Sequence, residues 1–169
     1  ITNPDERQLS YYQDILGADF QLSIAFLEGK LRKWVPAMNG VARSRFADAL
    51  YQELDSLQKQ GKSQSILKNV YIKMMCWLYY KFEQLANNLG QTNPPKVLYA
   101  GNVTAHEFSF LKILHSLGAD IVLVQRDGDA AYQKVDSVSQ YSEKCSIPGL
   151  AEFPADFTLK MLRQEMSRF

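Results

Sequence analysis

The chain is poor in cysteine. Cys76 and Cys145 are its only two, and neither sits in a CxxC pair or at Cys/His metal spacing. That excludes a zinc ribbon and a thioredoxin-type redox motif, and a reducing compartment is the simpler expectation. An excess of charge of one sign is missing as well. Nineteen Lys and Arg stand against 18 Asp and Glu, for a net charge of +1. A chain so nearly neutral makes no global claim on nucleic acid or on an acidic membrane. Long apolar runs are absent too. The most apolar stretch, residues 66–82, contains Lys68, Lys73 and Lys81, and is too short and too charged for a membrane span. The opening "ITNPDERQLSYY" is polar and unlike a signal peptide, and it lacks an initiator Met, which a processed terminus or an excised fragment would explain. There is no G-x-G-x-x-G, and no Ser/His/Asp, Cys/His or paired-carboxylate arrangement can be read. No nucleophile, metal set or cofactor is therefore assigned, and whether the chain is an enzyme stays open.

What is present is material for a core. Hydrophobic residues make up 46% of the chain, with nine Tyr, nine Phe and two Trp. Four helices are expected in residues 1–92. The first begins at Asn3, Pro4, Asp5 and Glu6, good residues for a cap, a first turn and a positive dipole end, and stops at Gly17. A second spans 19–35 and ends before Pro36. Residues 36–44 read as a loop around an Asn39–Gly40 turn. Phe46, Leu50, Leu54 and Leu57 then mark one stripe of a helix over 44–60. Residues 63–90, apolar around most of their circumference, read as one long, central buried helix.

At "QTNPPK" the period changes. "VLYAG" and "IVLVQ" are short β-rich runs of the kind buried on both faces of a parallel sheet. Between them Thr104 and Glu107 stand at capping-box spacing, which starts a helix at residue 105. Phe110, Leu111, Leu114 and Leu117 face one way, and Gly118 ends it. Strand, helix and strand joined by short turns favour a right-handed parallel crossover. The fold class expected is α/β: a helical region 1–92, a Rossmann-like β-α-β unit 93–153 with a small, incomplete parallel sheet, and a C-terminal helix 154–169, all in one compact unit.

Ligands of such sheets lie beyond the carboxyl ends of the strands. Here those ends carry Gly101, Asn102, Thr104, His106 and Glu107 after the first strand, and Asp127 and Asp129 after the second. The set suits a nucleotide, a nucleotide-sugar or a sugar phosphate, or a divalent ion held by the two aspartates. The plainer use of Thr104 and Glu107 is as helix caps. That of Asp127-Gly128-Asp129 is a turn leading into an Asp-capped helix. His106 reads as a surface histidine unless a partner activates it, and His115 as a residue of the helix body. Arg43 and Arg45, beside the 36–44 loop, have the geometry for phosphate, though a short basic run is more often a solvated face. Met74, Met75, Trp77, Tyr79 and Tyr80 read as core.

Two parallel strands leave both edges bare. Either weak strands hide in 136–153, or a protein partner or further chain completes the sheet.

"PPKVLYAGNVTAHEFSFLKILHSLGADIVLVQRDGD", with "WLYYKF" before it, resembles the bacterial YceG-like family across about residues 66–130. The shared pattern is a "PKVLYYG"-type strand, a helix ending "FL..L...G.D", and a second strand running into an acidic or glycine turn. The resemblance implies a cytoplasmic protein of tellurite-resistance and stress-response operons, working beside a predicted biosynthetic module. Members are longer, which implies that this chain is a fragment. The resemblance carries no catalytic residue over to this sequence.

Overall fold

A computed structural model of the chain describes residues 6–17, 19–91, 93–125 and 128–145, together with Thr158, Lys160, Met161 and Gln164. Four longer helices come first. α1 (Glu6–Gly17) follows the expected first helix, whose cap residues Asn3, Pro4 and Asp5 fall outside the described residues. α2 (Ile24–Trp34) starts later than its apolar pattern suggests, because the Ser23 side chain accepts from the Phe26 amide and fixes the first turn there.

Asn39–Gly40 is a helix start and not a β-turn. The Asn39 side chain accepts from the amides of Val41 (2.8 Å) and Ala42 (3.4 Å), and α3 (Gly40–Lys59) begins at once. The expected single helix over 63–90 is two. α4 (Gln64–Lys81), capped by Ser63, stops at Phe82, and the short α5 (Glu83–Asn87) follows. At the break the Phe82 amide is shared between the carbonyls of Trp77 and Leu78. The Phe82 ring meanwhile packs 5.2 Å from Phe110. Tertiary packing has overridden a continuous helical pattern.

β1 (Lys96–Ala100) and β2 (Asp120–Val124) pair in parallel, Lys96 opposite Asp120 through Ala100 opposite Val124. α6 (Ala105–Ser116) joins them. The fold is thus α/β, mostly helical, with a small two-stranded parallel sheet.

Cover on both faces of that sheet is the expectation, and among the described residues only one face has it. Val97, Tyr99, Ile121 and Leu123 pack towards the core, while Leu98 (50% exposed) and Val122 (58%) stand side by side on the other face. The strands' alternation is that of a half-covered sheet.

The weak strands expected in 136–153 do not occur in the described part, 136–145. That segment folds instead around Asp136, only 6% exposed. Its carboxylate accepts from the Tyr132 hydroxyl (2.7 Å) and from the amides of Gln140 (2.9 Å) and Tyr141 (3.0 Å). A carboxylate that gathers two successive amides curls the backbone into a turn and withholds those amides from a sheet ladder. Burial alone would raise the Asp136 pKa; these three bonds, with Lys112 nearby, bring it below the ordinary value. The short α7 (Ala130–Gln133) precedes this turn. The expected helix at 154–169 falls almost wholly outside the described residues.

One continuous core runs from Tyr11 to Tyr132. Tyr11 stacks on Tyr79 at 3.9 Å, meets Trp34 edge-on at 5.0 Å, and donates its hydroxyl to the Met75 carbonyl at 2.5 Å. A buried hydroxyl needs that partner. α6 joins this core through Phe110, which lies against Phe46, Trp77 and Phe82. Each fully buried apolar side chain of this kind contributes roughly 1.5–3 kcal/mol. The junction is therefore what holds the sheet's carboxyl rim in place.

Candidate functional site

The rim is built from the last residues of β1 outward. Gly101 continues the ladder, its amide donating to the Val124 carbonyl at 2.9 Å, but its φ of +123° is one that a residue with a Cβ rarely adopts. Its carbonyl accepts from the Gln125 side chain at 2.8 Å, so the two strand ends are tied together. The Tyr99 hydroxyl donates to the Asn102 carbonyl at 3.3 Å. Thr104 then opens α6 with a complete capping box. The Glu107 amide donates to the Thr104 hydroxyl at 3.4 Å, and the Glu107 carboxylate accepts from the Thr104 amide (2.9 Å) and hydroxyl (2.6 Å).

These contacts set the chemistry of Glu107. Burial alone would raise its pKa, but the two Thr104 bonds, the Tyr99 hydroxyl and the positive charge of Lys81 outweigh burial and lower it. It stays an engaged carboxylate at neutral pH. Tyr99 shifts upward, first by burial and then by Glu107.

His106 occupies the first turn of α6. Its Nδ1 lies 3.4 Å from the Lys73 ammonium on α4. An ammonium only donates, so Nδ1 accepts and the ring proton belongs on Nε2, where it points away as a donor. Burial, and then the Lys73 charge, lower the His106 pKa, so the ring is neutral at pH 7. His115 has the opposite tautomer, with Nδ1 donating to the Ala119 carbonyl at 3.2 Å.

Not every candidate belongs to this rim. Gly101, Asn102, Thr104 and His106 follow one another from β1 into α6. Asp127 falls outside the described residues. Asp129 pairs with Lys144 and, although it stands just before α7, makes no side-chain bond to the helix amides, so the expected Asp cap is not formed. Arg43 donates to the carbonyls of Met38 (2.8 Å) and Pro36 (3.4 Å), holding the bend before α3. Arg45 lines a separate cavity of about 290 Å³ with Asn39, Val41, Ala42, Gly90 and Leu117. Leu117 closes the far end of α6, about 18 Å from Thr104 for a 12-residue helix. The arginines and the rim are therefore two places. A larger cavity of about 530 Å³ lies elsewhere again, between residues 19–22 and Gln64, Ser65 and Lys68. No group of three metal-ligating side chains occurs among the described residues.

The sequence reading missed Lys73, Trp77, Lys81, Tyr99 and Gln125. The signal for the first three was their spacing of four on α4, which puts them on one stripe. That stripe was read as a wholly buried helix, yet it faces the start of α6: Lys73 meets His106, Trp77 meets Phe110 at 5.7 Å, and Lys81 acts on Glu107.

No curated protein and no solved structure matches the chain. No helix among the described residues is long and apolar enough to cross a membrane. The family model described as the YceG domain matches residues 3–163, far beyond the stretch around β1 and β2 in which the likeness could be read. The N-terminal helices, α4 with its lysine stripe and the rim all lie within that match, and the chain belongs to the YceG domain family.

Proposed function

We propose that this chain is a ligand-sensing, non-catalytic module with a Rossmann-like β-α-β unit, serving a cytoplasmic bacterial stress and tellurite-resistance system. Its ligand lies on the rim at Gly101, Asn102, Thr104 and His106. The observation that carries this reading is the state of Glu107. It is an acid of the rim itself, and its carboxylate is occupied by the Thr104 amide and hydroxyl. A general base must reach a proton of the substrate. An engaged carboxylate of lowered pKa is poorly placed for that, whereas His106 turns a ring donor outward to hold a ligand. The stress-system setting is what the resemblance to this family implies, and a sheet that is half covered and bare-edged among the described residues supports a protein partner or further chain beside it.

A second reading is an enzyme half that binds a nucleotide, a nucleotide-sugar or a sugar phosphate at the same rim. His106 favours it, being neutral at pH 7 with its Nε2 proton directed outward.

The test is thermal shift against a panel of nucleotides, nucleotide-sugars and sugar phosphates. A ligand at a hundred times its Kd should stabilise the fold by about 2.7 kcal/mol. Asn102→Ala should abolish most of that shift. Recovery of the ligand unchanged after incubation supports the sensing reading, and its conversion supports the enzyme reading. If no compound at millimolar concentration raises Tm, the rim is not a ligand site.

A further inference from the structure

Lys73, Trp77 and Lys81 form a stripe along α4 opposite the first turn of α6. Among the described residues no carboxylate lies within ion-pair distance of Lys73 or Lys81. What Lys73 meets instead is the His106 imidazole at 3.4 Å and the Trp77 ring, 5.7 Å from the ammonium to the centroid. Elsewhere on α2 and α6, lysines that approach another helix find acids: Lys30 and Lys33 meet Asp14, and Lys112 meets Glu53. Lys73 and His106 thus meet beside an indole, Lys81 follows about two turns further along the same stripe of α4, and the acid at hand, Glu107, is already turned to Thr104.

We infer that this convergence is an oxyanion site, and that the rim takes a phosphate-bearing ligand whose phosphate sits between Lys73, Lys81 and His106, with the rest of the ligand passing along Trp77. The inference rests on the rim being a ligand site and names the chemistry of that ligand. A phosphate oxygen accepts, and the groups on offer there donate: the Lys73 and Lys81 ammoniums, and the Nδ1–H that His106 gains on protonation. Lys73 and His106 repel when both are charged, which disfavours protonation of the free ring. A dianion between them reverses that sign, so binding is accompanied by proton uptake at His106. The charged group that faces this ring is Lys73 from α4; Lys81 from α4 and Tyr99 from β1 act on the neighbouring Glu107 of α6. Glu107 is held ionised by Thr104 throughout, and Tyr99 stays neutral, so His106 is the group that titrates.

The chain has two histidines. Imidazole NMR signals of the whole chain can therefore be assigned with His106→Asn alone. Inorganic phosphate and ribose 5-phosphate, titrated to millimolar concentration at pH 6 to 8, should move the His106 signals and raise the midpoint of their pH titration. The His115 signals, at the far end of α6, should stay fixed. Lys73→Met should remove the phosphate response while the His106 midpoint of the free chain rises. Lys81→Met should weaken the response several-fold, and ribose 5-phosphate should bind more tightly than inorganic phosphate because it also meets Trp77. An unmoved His106 signal, or equal movement of both histidines, overturns the proposal. Should a nucleotide or sugar phosphate raise Tm while His106 does not respond, the rim remains a ligand site and only this oxyanion pocket is lost.

Discussion

The two ends of the core meet solvent differently. Around α1 to α4 the large side chains close on one another: Tyr11, Phe46, Leu50, Tyr71 and Met74 have no exposed surface. At the sheet the same alternation that buries Val97 leaves Leu98 and Val122 standing in the open. A helix can satisfy its backbone alone and needs only one apolar stripe covered. A parallel strand pair needs partners along its edges and layers on both faces. The helical half therefore closes among the described residues, while the β-α-β unit depends on α6 docking into it. That dependence matters for function, since the rim sits on the less self-sufficient half.

Phe110 is where the dependence is strongest, and truncating it should have the largest effect. Phe110→Ala removes a side chain that is 2% exposed and touches Phe46, Trp77 and Phe82. The expected loss is about 3–5 kcal/mol, read by urea denaturation. Amide exchange in the same variant sharpens the contrast between halves. Protection should fall in β1, α6 and β2 well before it falls in α3. A uniform fall across both would mean that the halves unfold as one and that the contrast is only one of surface.

A smaller effect should appear inside the helical half. Asp14 on α1 accepts from Lys30 (2.8 Å), Lys33 (3.0 Å) and the Trp34 indole (2.8 Å) on α2. Burial would raise its carboxyl, but those three bonds dominate and bring its pKa from 3.8 down to about 2. A carboxyl whose folded pKa is depressed stabilises the fold above its unfolded value and loses that contribution as pH falls through the folded one. The clamp is thus whole above about pH 4 and gone near pH 2. Asp14→Asn should cost about 1 kcal/mol at neutral pH, since solvent still screens part of the site. It should also flatten the decline of stability between pH 4 and 2, followed by denaturant melts. An unchanged acid limb would mean that other carboxylates carry it.

Much of this architecture could be read from residue types. The double proline, the capping box of Thr104 and Glu107 and the two β-rich runs fixed the strand–helix–strand order, because each signal is local. What failed was non-local. The break at Phe82 follows from the Phe110 contact, and the one-sided cover of the sheet follows from where the helices dock. The site divided in the same way. Gly101 through His106 are consecutive, so a sequence places them together. Lys73 and Lys81 reach the rim only because α4 packs beside α6, and their spacing looked like part of a buried helix. Arg43 and Arg45 resembled anion-binding residues by type, yet one holds a bend and the other faces the opposite end of α6.

The smallest effect is the sharpest test of the comparison, because it uses adjacent residues. Val97 and Leu98 differ by one position in β1 and so point to opposite faces of the sheet. Val97 is 9% exposed and Leu98 is 50% exposed. Val97→Ala removes buried methyls and should cost about 1–2 kcal/mol, whereas Leu98→Ala, despite deleting more atoms, should cost about 0.5 kcal/mol or less. Denaturant midpoints of the two variants give the comparison directly. If Leu98→Ala instead costs about 2 kcal/mol or more, the value expected for a leucine in a packed interior, something covers this face in solution. Repeating the measurement over a range of protein concentrations then separates the causes. A cover supplied by a second copy makes the cost grow with concentration, by mass action, while a cover from the same chain does not. Either result would make the sheet as closed as the helices and would leave the rim as the part of the β-α-β unit that is open to a ligand.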